Sequence, residues 1–338
     1  MNYGSYDYDF ELSELKADRY GLWDQFVEDS PQGTVFQKIS WLKSYEEYNL
    51  KLLAITHKET IVAGIPIPFV NRLGVRFAVN PPFTGYLGVL FRKSSQKYNV
   101  RLSMEREFSK ILAKNLKEFT SYVRYVFHYN FVDATPFLDL GYSAKPYYMY
   151  ILNLRENLDK ILGEMEKDTR NRIRRAEKYG LHCTDGSPAE IAELVCLSYN
   201  RKNQAPAYSK ETYEKMLTAF SKNVPYKSLV IKDKEEAIAG GIIVYDGKRA
   251  YYLCAGIRPR SEFKGINQLL VWTLIKHVKE NLKLNEFDLQ GWANEGIERF
   301  LRGFGPTLTQ GLSINSSSTY CQLIDAARNM RRTVTTKH

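Results

Sequence analysis

Residues Leu229–Gly305 read LVIKDKEEAIAGGIIVYDGKRAYYLCAGI, the charged loop RPRSEF, the amphipathic run KGINQLLVWTLIKHVKEN, a short strand EFDLQGW and, beyond it, GIERFLRGFG. Two apolar runs are joined by a charged turn, a third ends at a loop and a helix, and a further strand follows. That order describes a mixed sheet whose edge is interrupted where the helix begins. A helix start beside a strand end suits a phosphate or another anion, because its first-turn N–H groups are unpaired and the helix dipole is positive there. Gly265 permits close backbone approach at that point, and Lys264 adds charge.

Outside this stretch, the 338 residues are enough for a large core and suggest two domains. With 44% hydrophobic and 25% charged residues the composition is that of a folded globular protein, which excludes disorder as the default. The net charge of +10 favours anionic partners such as nucleotides, phosphorylated carriers, tRNA or an acidic membrane surface, and fits equally a generally basic, soluble surface. Cys183, Cys196, Cys254 and Cys321 show no CxxC spacing and no nearby histidine pairs, so neither a zinc site nor a disulfide framework is indicated. His57, His128, His182, His277 and His338 have no metal-ligand spacing either, and no metal is expected. The polar, acidic start MNYGSYDYDFELSELKADRY lacks an apolar signal region, and no later stretch approaches the roughly 18 apolar residues of a membrane span. The expected location is the cytoplasm.

Along the chain, the spacing predicts a helix over residues 12–28, a short strand over Thr34–Gln37 and a helix capped by Ser40. KLLAITHK and TIVAGIPIPFV read as paired strands, and Pro66, Pro68, Pro81 and Pro82 predict edges or bulges there. Residues 94–119 read as a helix, and YVRYVFHYNF as a strand. Residues 158–179 read as one helix carrying Arg170, Arg172, Arg174 and Arg175. Pro188 and Ser209 open two more helices, and residues 316–318 cap a last one. The arginine cluster suits phosphate contacts to a donor or to tRNA, ion pairs with Glu164, Glu166 and Glu177, or a solvated face.

A shift of 176 positions lays LLAITHKETIVAG on SLVIKDKEEAIAG, pairing Lys58 with Lys234, Glu59 with Glu235 and Gly64 with Gly240. Both windows are strand, charged turn, strand, so the chain reads as a duplicated unit.

These features together resemble the FemAB-like branch of the GNAT acyltransferase superfamily, in which two GNAT-type domains lie in tandem. The resemblance rests on the duplicated hairpin, RNRIRRAEKYGL, the helix containing Asn267, the strand end DLQG and GIERFLRGFG, with FQKISWLKSY and NPPFTGYLG in the first half. It implies an α/β fold of two tandem GNAT-like domains, each a mixed, largely antiparallel sheet flanked by helices. The boundaries expected are residues 1–150 and 151–338, with a helix over 316–338 returning to the first domain.

The function implied is transfer of an acyl or aminoacyl group from an activated donor, acyl-CoA or aminoacyl-tRNA, to an amine of a cell-wall, polysaccharide or lipid-linked precursor. Such chemistry needs a neutral amine, stabilisation of the tetrahedral oxyanion and a proton acceptor. Tyr252 and Asp288 are the acid/base candidates; in structural terms Tyr252 is equally a packing residue and Asp288 a turn cap. Arg302 is the catalytic cation nearest to the lysine position of Phe-Lys-x-x-Phe-Gly, where this chain has Leu301. Lys264, Gly265 and Asn267 are expected at the donor. The matching loop of acetyl-CoA enzymes is Arg/Gln-x-x-Gly-x-Gly/Ala, and here Glu262, Gly265 and Asn267 occupy it. Lys38, Tyr86 and Arg201 are expected at the acceptor, in a cleft between the domains. These departures keep open a GNAT-like binding protein without catalysis.

Overall fold

The computed structural model describes residues 10–317 other than 73, 95, 201–203, 261 and 292–294. The expected final helix from residue 318 onward therefore falls outside the described residues, as do Cys321, His338 and Arg201. The chain divides into two compact units, one from Met1–Tyr147 with Gln310–His338 and the other Tyr148–Thr309. No helix among the described residues is long and apolar enough to cross a membrane.

The first unit runs β1 (Phe10–Glu14), α1 (Tyr20–Asp29), α2 (Ile39–Leu42), β2 (Asn49–His57), β3 (Thr60–Arg72), β4 (Val75–Val79), β5 (Leu90–Phe91), α3 (Tyr98–Phe119), β6 (Tyr122–Phe127) and α4 (Thr135–Leu138). β7 (Ser143–Asn153) leads into the second unit. That unit continues with α5 (Leu158–Glu164), α6 (Lys167–Glu177), β8 (His182–Asp185), α7 (Pro188–Asn200), α8 (Lys210–Asn223), β9 (Tyr226–Asp233), β10 (Glu236–Tyr245), β11 (Ala250–Ile257), α9 (Ile266–Lys276), β12 (Glu286–Gly291) and α10 (Glu295–Arg302). β13 (Thr307–Ser317) carries the chain back to pair with β6. The strand order is β1-β2-β3-β4-β6-β13 in the first unit and β7-β12-β11-β10-β9-β8 in the second.

The duplication read from the sequence recurs in the backbone. Register pairs His57↔Thr60 and Asp233↔Glu236 leave two-residue turns, Lys58-Glu59 and Lys234-Glu235. Lys58 and Glu59 both have positive φ, as a type I′ hairpin turn requires, and Lys234 does too. The paired glycines also match in role. A Cβ on Gly64 would stand 2.7 Å from the Trp23 ring of α1, and one on Gly240 2.8 Å from the Ile191 side chain of α7, so each lets a helix press onto its sheet. In both units a helix crosses between two parallel strands, β4–α3–β6 and β11–α9–β12.

Several local expectations differ from the structure for physical reasons. Leu12 lies in β1, whose FELSE run pairs with β2 from Phe10↔His57 to Glu14↔Leu53, and the helix begins only at Tyr20. Val35–Gln37 is a 3-10 turn instead of a strand, because the Gln37 side chain accepts hydrogen bonds from both the N–H and the hydroxyl of Thr34, at 3.0 Å each. Ser40 sits inside α2, where Asp24 accepts the Ile39 N–H at 2.8 Å in place of a local cap. The helix expected over 158–179 breaks at Met165, which is extended, and Arg170 turns back to donate to the carbonyls of Gly163 and Met165. Ser316 and Ser317 finish β13, paired with Val123 and Tyr122, and the helix expected to follow them lies outside the described residues.

Pro66 and Pro68 lie in an interior strand. β3 pairs with β5 at Ala63 and Gly64 and with β4 from Phe69 to Arg72, so the two prolines fall where that side of β3 has no ladder and needs no N–H.

Candidate active site

β11 pairs with β10 along its length, with Leu253 as an extra residue between the pairs Ile242↔Cys254 and Ile243↔Tyr252. On its other side it meets β12 in parallel only at Ala250↔Phe287 and Tyr251↔Asp288. From Tyr252 onward β11 has no strand partner on that side among the described residues, and the sheet is open there.

The opening has a local cause in β12. Its ladder to β7 shifts between Asp288 and Gly291, and Gln290 takes φ 67°. Asp288 is fully buried and accepts the Gln290 N–H at 2.7 Å. The carboxylate thus holds the irregular backbone that parts β12 from β11. Ser198 of α7 closes the far end of the opening, accepting the Ile257 N–H at 2.7 Å.

α9 begins at Gly265, its N-cap, at φ 91°. The first intrahelical bond runs from Leu269 N–H to the Gly265 carbonyl at 3.0 Å. The N–H groups of Ile266, Asn267 and Gln268 have no acceptor among the described residues. Lys264 is exposed, and Gly265 and Asn267 are half-buried. The glycine serves more than ligand approach: a Cβ there would stand 2.4 Å from the Arg172 carbonyl oxygen, so it lets α6 pack against the helix start.

Among the groups expected to react, Tyr252 is half-buried on the open part of β11, and its hydroxyl makes no hydrogen bond among the described residues. Burial pushes its phenol up, and burial pushes the Cys254 thiol up to about 12. At neutral pH Tyr252 is therefore protonated and able to donate a proton, not to take one. Asp288 faces its own backbone bulge. Arg302 is exposed on α10 and pairs with Glu298 at 3.4 Å, and Glu298 accepts the Tyr150 hydroxyl at 2.7 Å. Leu301 is buried in the core with Phe304. Lys38 pairs with Glu28 at 2.5 Å, and Tyr86 is buried in the first unit's aromatic core beside Phe36 and His128.

The corresponding place in the first unit is filled by its own chain. After β4 and β6 part, Asn80 accepts the Val126 N–H at 3.1 Å and the Leu87 N–H donates to the Val126 carbonyl at 2.8 Å. Leu87 also bridges to Phe127. The NPPFTGYLG segment, with Tyr86, occupies the first unit's own counterpart of that opening. The sequence carries no signal for this contrast, nor for Ser198.

Beyond β11, Arg258 binds Glu193 of α7 at 2.6 Å and Glu236 of β10 at 3.1 Å. The Arg258 guanidinium, then Lys210, hold the Glu193 carboxyl below its usual range. A carboxyl lowered in the folded state contributes stability above its unfolded value of about 4.3, and that contribution is lost as the pH falls through the folded value. Thermal melts should therefore show the gap between wild type and Arg258→Ala shrinking from about pH 5 to about pH 3. A gap constant over that range would refute the linkage.

Residues 164–300, within the second unit, match the family model described as acetyltransferase (GNAT) domain. No curated protein matches the sequence. Among solved structures, the chain is similar to FemX, at 15% identity and TM-score 0.68, over 89% of this chain and 96% of that one. It is also similar to a tandem GNAT protein from the clavulanic acid biosynthesis pathway, at 11% identity and TM-score 0.54, over 91% and 98%. L-PGS from Bacillus licheniformis follows at 14% identity and TM-score 0.53, over 94% and 97%. The fold is thus a mixed α/β arrangement like that of these tandem GNAT structures.

Proposed function

We propose that the second unit transfers an acyl or aminoacyl group from an activated donor to an amine, the acceptor being a cell-wall, polysaccharide or lipid-linked precursor as the FemAB-like resemblance implies. The observation that carries this is the open side of β11 from Tyr252 onward, lying in the chain just before a helix whose first-turn N–H groups lack acceptors. Unpaired strand N–H groups suit the oxyanion of a tetrahedral intermediate, and the helix start with Lys264 suits the donor's phosphates. The amine nitrogen attacks the donor carbonyl carbon and the carbon–sulfur or carbon–oxygen bond breaks. The leaving thiolate or alkoxide takes a proton from Tyr252, which the ammonium-like intermediate restores. Acyl-CoA and aminoacyl-tRNA both carry the required phosphates.

Asn267→Asp tests the donor end. An aspartate in the first helical turn favours the helix by about 0.3–1 kcal/mol yet repels an anion placed there. Calorimetric titration should show donor affinity about tenfold weaker or more, with the melting temperature held or raised. Unchanged affinity would remove the helix start from the site. The fully buried Asp288, whose carboxylate accepts the Gln290 N–H of its own strand, also favours a second reading, a binding protein without catalysis. That reading is selected if a donor binds saturably and is consumed with no amine. If no acyl-CoA or aminoacyl-tRNA binds, the transferase reading falls.

A further inference from the structure

The first unit contains a cavity of about 290 Å³ between α3 and the β3–β5 pair. Its apolar walls come from Val62 and Phe91 on the sheet and Met104 and Phe108 on the helix. A smaller cavity adjoins it, sharing Phe91 and Glu105 and reaching Val132, which is 74% exposed. The volume sits at the lower limit of small-molecule sites, about 300–1,000 Å³, which is too small for a nucleotide.

The rim is cationic. Arg92 is fixed by Asp29 at 2.7 Å and by the Ile61 carbonyl at 2.8 Å. Arg101 stacks over Tyr98 and stands 3.6 Å from Glu105. Lys93 is exposed and has no ion-pair partner among the described residues. Burial holds the Glu105 carboxyl above its usual range, as walls that exclude water should.

We propose that this cavity binds the hydrocarbon end of a single-chain amphiphile, with its anionic head held at the rim by Arg92, Lys93 and Arg101. Apolar walls take the chain, and the excess of cations selects the head's sign. The site lies wholly in the first unit and uses none of the groups assigned to transfer.

The test is calorimetric titration of the full chain with dodecyl phosphate kept below its micelle concentration. Saturable binding of one molecule per chain is expected, with dodecyltrimethylammonium about tenfold weaker or worse. Met104→Trp fills the cavity and should weaken dodecyl phosphate about tenfold, as if two methylene groups had lost their burial. Lys93→Glu, at an exposed position that leaves the core untouched, should weaken it about threefold to fivefold. Cosedimentation with phosphatidylglycerol vesicles separates the two sources of such a head group. Binding to vesicles without binding of the monomer would overturn the proposal, as would equal affinity for the two heads or a folded Met104→Trp variant that binds like wild type. Should Met104→Trp fail to fold, the head comparison and Lys93→Glu decide.

Discussion

Asp288→Ala is expected to lower the stability of the chain by about 1–3 kcal/mol, the cost of leaving a buried hydrogen-bonding group without its partner. The carboxylate is fully buried and accepts the Gln290 N–H at the irregularity that turns β12 away from β11. Without it, β12 is free to continue its parallel ladder past Tyr251, which would close the opening, so donor binding should fall along with the melting temperature. Asp288→Asn separates the two roles available to this residue. An amide keeps the oxygen acceptor and therefore the bulge, but it cannot take a proton. If Asp288 only positions the backbone, the Asp288→Asn variant keeps most of the transfer rate. If it is the base, that variant loses about 10²–10⁴ in rate with the donor affinity intact. Steady-state kinetics beside thermal melts of both variants read the difference.

The parts of the fold legible in the sequence are those set by local patterns. The Lys-Glu turns at 58–59 and 234–235 and the glycines at 64 and 240 fix two hairpins with the same chemistry, and a simple shift of the chain reveals them. Ser209 caps α8 as its position suggests, accepting the Thr212 N–H at 3.2 Å. Sequence and structure part where a distant partner decides the outcome. β1 is a strand only because the edge of β2 accepts it, and α2 starts where Asp24 reaches across to Ile39. The prolines of β3 read as markers of an edge or a bulge, and β3 does carry a bulge at Val62 against β2, but the sequence cannot show a gap between β4 and β5 on an interior strand. The site is legible as a strand end followed by a helix start. What opens it is not: the positive φ falls on Gln290 and not on the neighbouring Gly291, and the bulge at Leu253 has no glycine or proline beside it to announce it. For the same reason Tyr86, an acceptor candidate by its residue type, belongs instead to a segment that fills the first unit's own opening.

Gly265→Ala should cost about 2–4 kcal/mol of stability. Two independent terms act at this position. With φ at 91°, an L-residue enters left-handed backbone, at about 1–2 kcal/mol. Its Cβ would also stand 2.4 Å from the Arg172 carbonyl oxygen and 2.9 Å from the carbonyl carbon, both backbone atoms of α6 that cannot swing aside as a side-chain tip would. Relief requires α6 and the start of α9 to separate, so the loss should appear as a lower unfolding midpoint in the absence of any ligand. Donor affinity would then fall as a consequence of the displaced helix start. Asn267→Asp predicts the opposite pattern, weaker donor binding with stability kept, so the pair of variants separates a packing glycine from a ligand-facing one. A Gly265→Ala protein that melts like wild type and has lost only donor binding would assign the glycine to the donor and leave the contact with α6 without energetic weight.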